Sequence, residues 1–223
     1  MACRRTAVLI SGGGTNLQAL LDAGAAGRGG AEIGLVIGHR PDAFGLERAR
    51  RAGVAAHLID HRRFASRDAF DAALDEALTA AGIELICLAG FMRLLTTPFV
   101  ERWRDRLLNV HPSLLPAFRG LRTHDRALAA GVRVHGCTVH LVRPELDEGP
   151  ILVQGVAPVL PEDSAPTLAA RVLELEHVCY PRALALLASG RARVEGETVV
   201  VGPDEPLERL VLHPLLGEGR VPA

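Results

Sequence analysis

Short unbroken apolar runs alternate along this chain with longer segments in which apolar residues recur every three or four positions. The runs Thr6 to Ile10, Ile33 to Ile37, Val54 to Leu58, Leu85 to Ala89 and Leu107 to Val110 have the continuity of strands buried on both faces, as in a parallel sheet. Between them, Asn16 to Ala26, Ala43 to Ala52 and Arg67 to Ala81 carry apolar residues at helical spacing. Gly53 and Gly82 stand where C-terminal caps belong, and Ser66 is placed to cap the third helix. The alternation βαβαβαβ predicts right-handed crossovers and an open, mostly parallel, doubly wound α/β sheet of Rossmann-like type. Such sheets gather ligands beyond the carboxyl ends of their strands, so the residues following each strand are the candidates for chemistry.

After the first run comes Ser11-Gly12-Gly13-Gly14-Thr15-Asn16, leading straight into a helix. Glycines allow close backbone approach and a helix start presents free N–H groups, so a phosphate fits here, as does a glycine turn serving only geometry. A dinucleotide fingerprint would need glycine where Leu17 stands and an acid where Gly38-His39-Arg40 follows the second strand. A Walker loop would need a lysine. All 25 basic residues are arginine, which excludes that loop and Schiff-base chemistry alike. The guest expected here is therefore a monophosphate.

The 223 residues suit one domain, and 48% apolar with 23% charged residues excludes a disordered or fibrous chain. With 25 basic residues against 26 acidic ones, no concentrated positive charge is available for nucleic acid. Cys3, Cys87, Cys137 and Cys179 are scattered without a CxxC pair, which suggests reduced, buried thiols and no cysteine zinc site. The run Ala7 to Ile10 is too short for a signal-peptide core or a membrane span, so a cytoplasmic home is expected.

The densest group of unusual residues follows the fifth strand: Asn109-Val110-His111-Pro112-Ser113-Leu114-Leu115-Pro116. In extended chain Asn109 and His111 project to one side, putting an amide donor and a titratable imidazole before one ligand. That is equipment for acyl transfer through a tetrahedral intermediate, although both residues also serve turns. Further on, Glu145-Leu146-Asp147-Glu148-Gly149-Pro150 sets a carboxylate beside a Gly-Pro turn. Near His111, Asp147 would favour the imidazolium and order a proton-carrying water; otherwise it is a turn residue.

These segments, with Ile10 to Gln18 and Leu88-Ala89-Gly90-Phe91-Met92-Arg93-Leu94-Leu95, occur in the order and spacing of one family. From about Thr6 to Gly190 the chain resembles the phosphoribosylglycinamide formyltransferases. The resemblance implies the formyltransferase fold, with an antiparallel C-terminal part to the sheet, and transfer of a formyl group from 10-formyltetrahydrofolate to glycinamide ribonucleotide in purine biosynthesis. It implies no metal and small-molecule partners only, with neither nucleic acid nor membrane, in a monomer or homodimer. By the same resemblance Asn109 is the oxyanion donor, His111 the proton-transfer residue, and Asp147 the anchor of its charge and of a water. Gly14, Thr15, Asn16 and Glu176 match the nucleotide site. Arg67, Met92, Arg93, Leu94, Leu95 and the segment Arg143, Pro144, Glu145, Leu146, Asp147 match the folate site, with Asn109 shared. Met92 and the leucines equally suit a core, and Arg67 and Glu176 a solvated helix face.

Gly38, His39, Arg122 and Leu173 depart from the family's usual residues at the margin of the expected site. The other histidines, among them His135 and His140, form no zinc signature; His140, on an expected strand Thr138 to Val142, is placed to support the site from behind. Residues 1–202 are expected to form the catalytic domain, and 203–223, with four prolines, an extension. Two other functions remain open: hydrolysis of 10-formyltetrahydrofolate, with water replacing the amine, and a non-catalytic folate sensor. The nucleotide loop with Glu176 argues against the first, and three polar catalytic residues against the second.

Overall fold

The computed structural model describes residues 3–27, 31–202 and 209–217. The five expected strands are β1 (Arg4–Ile10), β2 (Ala31–Gly38), β3 (Ala55–Leu58), β4 (Leu85–Ala89) and β5 (Leu107–His111). The three expected helices are α1 (Thr15–Ala25), α2 (Gly45–Arg51) and α3 (Arg67–Ala80). Ser66 caps α3 by accepting from the Ala69 N–H, and Gly53 and Gly82 take left-handed φ of 72° and 63° just beyond α2 and α3.

Apolar periodicity alone missed two short helices, α4 (Thr97–Arg102) and α5 (Thr123–Ala129), and the long α6 (Ala165–Ala188). The second half adds β6 (Val134–Leu141), β7 (Ile151–Pro158), a hairpin of β8 (Ala192–Glu195) and β9 (Thr198–Val201), then β10 (Leu210–Leu212) and the single turn α7 (Pro214–Gly217). The main sheet has eight strands in the order β10-β7-β6-β5-β4-β1-β2-β3. β1 to β5 pair in parallel, while β5–β6 and β6–β7 are antiparallel. The strand order turns back between β1 and β4, which opens a crevice at their carboxyl ends.

Side-chain alternation explains the two covering layers. Val8 and Ile10 of β1 face one core with Leu17 and Leu20 of α1, Leu46 of α2 and Leu175 of α6. Ala7 and Leu9 face the other core with Phe70, Leu74 and Leu78 of α3 and Phe99 of α4. The Ala7–Ile10 part of β1 is therefore apolar without interruption because neither face meets water there.

The loop after β1 is held by glycine contacts. Gly14, at φ 73°, lies so close to α2 that a Cβ there would sit 2.8 Å from Gly45 Cα, and the Gly45 N–H donates to Gly12 O. Part of the expected extension lies in the main sheet: Leu210–Leu212 pairs in parallel with β7. Residues 203–208 and 218–223 of that extension lie outside the described residues. Cys87, Cys137 and Cys179 are buried free thiols, whereas Cys3 is exposed.

Tyr180 of α6, wholly buried, spans neighbouring strands by donating its hydroxyl toward Leu88 O and Leu108 O, each at 3.1 Å. Tyr180→Phe is expected to lower stability by about 1 kcal/mol, read as a lower urea midpoint at constant slope. An unchanged midpoint would show that the strands do not depend on this bridge.

Candidate active site

Three stretches that sequence spacing could only suspect of meeting do meet. Asn109 and His111 lie on the same face of β5, and the antiparallel neighbour β6 sets His140 opposite Asn109 and Thr138 opposite His111. Thr138 immobilises the turn after β5: its hydroxyl donates to Ser113 O at 2.7 Å and accepts from the Leu115 N–H at 3.0 Å. The turn then brings Phe118 O within 3.1 Å of His111 Nε2.

Because β6 runs antiparallel, the segment leaving it begins beside Leu107, where the Val142 N–H donates to Leu107 O. That is the far end of β5, about 13 Å along the strand from His111. The segment nonetheless folds back far enough for Asp147, at a left-handed φ of 56°, to reach His111. Its Oδ2 accepts from the Gly120 N–H at 2.8 Å and lies 3.4 Å from His111 Nδ1, and its Oδ1 lies 3.9 Å from His140 Nε2. Both nitrogens of His111 therefore face oxygen acceptors, the pattern that the doubly protonated ring satisfies. At 3.4 Å the Nδ1 contact is looser than a good hydrogen bond, so its proton remains available to a ligand oxygen.

His140 is the residue behind the amide. Burial holds its pKa down to about 4, so the ring is neutral at physiological pH. Its Nδ1–H donates to Leu141 O at 3.0 Å, which leaves Nε2 as an acceptor for Asn109 Nδ2 at 3.3 Å. One amide hydrogen of Asn109 is thereby fixed, and the second remains for another acceptor. The strand's period of two was the available signal, since His140 falls on the same face as Thr138.

The glycine loop meets α6 on the other side of the crevice. Asn16 Nδ2 donates to Glu176 Oε2 at 2.7 Å, joining residues 160 positions apart. Since an ionised carboxylate only accepts, the amide must turn its nitrogen to Glu176, and Asn16 Oδ1 is left buried without a partner. Glu176 is itself buried, and burial raises its carboxyl to about 6, opposed by the Asn16 bond. The alternative of a solvated helix acid does not hold. Glu176 shares the core-facing stripe of α6 with Val172, Leu175, Cys179 and Ala183, a placement its spacing from those residues could have signalled. Gly14 is the N-cap of α1 and Thr15 its first residue.

On the other expected ligand side, Met92 is 72% and Leu94 64% exposed, which excludes a core role for both. Leu95 packs against the second core, and Arg93 stacks its guanidinium 5.0 Å from the Phe70 ring centroid. Arg93 Nε is buried without a protein partner. Arg67 is exposed at the start of α3. Pro144, Glu145 and Leu146 are exposed, Leu146 by 54%, whereas Arg143 is buried in ion pairs with Asp105 and Glu197.

Among the departures, His39 is more than marginal. Its Nε2 lies 2.6 Å from Ser11 Oγ, which also accepts from the Met92 N–H at 2.7 Å, so His39 and Ser11 connect the glycine loop to the 92–95 loop. Burial, reinforced by the nearby His61, lowers the His39 pKa to about 4. Gly38 packs under Leu46, Arg122 caps α5 in a left-handed conformation, and Leu173 is half-buried on α6.

An amide, an imidazole and a carboxylate brought together beside the crevice of a doubly wound sheet are the groups that a group transferase calls for. Residues 4–184 match the formyl transferase family, and the chain belongs to that family. Within it, the chain is 44% identical over 187 residues to the phosphoribosylglycinamide formyltransferase of Escherichia coli, covering 84% of this chain and 88% of that protein. It is 50% identical over 196 residues to the trifunctional purine biosynthetic protein adenosine-3 of Drosophila melanogaster, covering 87% of this chain but only 14% of that much longer protein. The crystal structure of glycinamide ribonucleotide transformylase 1 from Symbiobacterium toebii superposes with a TM-score of 0.87 at 52% identity, over 89% of this chain and 93% of that one. Among the described residues no helix is long and apolar enough to cross a membrane.

Glu176 yields a stability prediction. Its carboxyl is raised in the folded state from 4.5 to about 6, so the protonated form is favoured by folding. That contribution is complete below pH 4.5 and is lost as pH rises through 6, which corresponds to about 2 kcal/mol. Glu176→Gln keeps an acceptor for Asn16 and is expected to unfold at a higher temperature than the parent at pH 8, with the gap closing toward pH 4.5. A gap independent of pH would place the buried charge elsewhere.

Proposed function

We propose that this chain transfers the formyl group of 10-formyltetrahydrofolate to the amine of 5'-phosphoribosylglycinamide, giving formylglycinamide ribonucleotide and tetrahydrofolate in purine biosynthesis. The observation that carries the reading is His111 held between Phe118 O and the Asp147 carboxylate, with the free amide hydrogen of Asn109 on the same face. The names of the relatives covered nearly end to end support the same substrates.

In this reaction the amine nitrogen forms a bond to the formyl carbon, and the formyl oxygen takes up negative charge. Asn109 and the Nδ1–H of His111 donate to that oxygen, stabilising charge that exists only near the transition state. The added nitrogen then sheds a proton while the folate nitrogen must gain one before its bond to carbon breaks. Asp147 orients His111 through its Nδ1 contact and accepts a hydrogen bond from the water that relays this proton. Atoms and charge balance without an external acid, because the proton lost by the amine is the one that the departing tetrahydrofolate takes up.

For the nucleotide, Gly14 and Thr15 present backbone N–H groups of a helix start to the phosphate. Asn16 Oδ1 and Glu176 offer acceptors to the hydroxyl or amine donors of the same substrate. For the folate, Met92, Leu94, Leu95 and Leu146 provide apolar contact, Arg93 lies with them at the ring pocket, the backbone of 143–147 and 92–95 reads the ring, and Arg67 faces its acidic tail.

The test is the purified protein with 10-formyltetrahydrofolate, with and without glycinamide ribonucleotide, following tetrahydrofolate formation by absorbance. Product that depends on the amine is expected. Product formed equally without it indicates a hydrolase, and ligand binding with no product indicates a sensor. Asp147→Asn and His111→Ala are each expected to lower kcat by roughly 10²- to 10⁴-fold while changing folate affinity far less. Unaltered turnover in either variant would remove the roles assigned to that pair.

A further inference from the structure

The folded-back segment that carries Asp147 is held at its base by a group that the reaction does not use. Arg143, only 4% exposed in its side chain, donates from Nη2 to Asp105 Oδ1 at 2.8 Å and from Nε to Glu197 Oε2 at 2.8 Å. A third bond runs from Nη1 to Val142 O at 3.2 Å. Arg104 pairs with the other Glu197 oxygen at 2.5 Å, so two arginines share one carboxylate. The Glu197 carboxyl is held below its usual range, first by the Arg143 bond.

The partners of Arg143 come from different parts of the fold. Asp105, at a left-handed φ of 59°, precedes β5, and Glu197 is in the turn of the β8–β9 hairpin. That hairpin lies beyond the residues matched to the family, which end at 184. It is not a loose appendage. Arg209, on the far side of residues 203–208, donates to Val199 O of β9 and to Ile151 O and Leu152 O of β7, fixing the hairpin against the main sheet. Packing leaves the segment little room to relax elsewhere: a Cβ on Gly149 would lie 1.6 Å from Leu141 O and 3.3 Å from Arg143 Cγ.

We infer that Arg143 is a positioning residue whose ion pairs with Asp105 and Glu197 make the β8–β9 hairpin a structural part of the folate-side loop. Asp147 is pinned at one end of the loop by Gly120 and His111, and Arg143 pins the other. The exposed residues Pro144, Glu145 and Leu146 between these two anchors are thereby presented as a fixed lip. Each of the three guanidinium nitrogens of Arg143 has a protein partner. The inference rests on the proposed formyl transfer for its kinetic consequence, but not for its structural one.

Three variants test it: Glu197→Gln, Arg143→Met and the double variant. Glu197 is more than half exposed, so Glu197→Gln weakens the pair with little risk to folding. It is expected to raise KM for 10-formyltetrahydrofolate roughly three- to ten-fold, with KM for glycinamide ribonucleotide within about two-fold of the parent. The double variant is expected to be no worse than Arg143→Met alone, because both changes remove the same contact. Hydrogen exchange on the ligand-free protein should be faster at amides 145–148 in all three, with α1 and α6 unchanged. KM values that rise together for both substrates, additive effects, or unaltered exchange at 145–148 would overturn the inference. A parent protein without formyl transfer would instead defeat the proposed function, and exchange would still decide the clamp.

Discussion

The site depends on one carboxylate crossing the sheet against the run of its own strand. Asp147 leaves from the end of β6 remote from His111 and returns over the face of β5 in a left-handed conformation that costs a non-glycine residue of order 1 kcal/mol. What compensates is electrostatic and local: the Gly120 N–H and the His111 ring converge on its Oδ2. Remove that convergence and the turn after β5, the β6–β7 segment and the face of β5 have no common partner. Because β6 runs antiparallel to β5, its outgoing segment starts at the end of β5 away from His111, and the fold-back of that segment is what sets Asp147 over the face of the strand.

A second constraint is burial. His140 and Glu176 sit in surroundings that discriminate against charge, and the fold resolves this differently for each. His140 becomes neutral and so turns into an acceptor that orients Asn109. His111 meets oxygen on both nitrogens and is suited to carry charge. Glu176 stays ionisable near neutrality at a cost in stability, with a single amide for support and an orphaned oxygen beside it. A site that holds unsatisfied polar groups before its ligand arrives is pre-organised at the expense of the empty protein's stability.

The two ends of the crevice are not independent. Ser11 takes the Met92 N–H while lying against His39, so a residue of the glycine loop helps shape the loop on the folate side. The C-terminal hairpin meets the same side through Arg143. Both connections involve residues other than Asn109, His111 and Asp147, and Glu197 lies beyond the region matched to the family.

Much of this was legible in the sequence. Unbroken apolar runs identify strands buried on both faces because a parallel sheet between helix layers leaves neither face wet. Glycine at 14 follows from a turn that approaches Gly45 too closely for a Cβ, and Asn109 with His111 share a face because strand geometry repeats every two residues. These are local rules, and local rules read directly from residue order. Sequence spacing left undecided whether Asp147 was a turn residue or a partner of His111, whether Glu176 was solvated, and where Arg143 pointed. Each answer depends on groups 36, 160 or 54 positions away in the chain. Sequence separation carries no distance once the chain is packed. Tertiary structure alone decided those contacts, because burial and charge pairing act through space and strengthen only where water has been excluded.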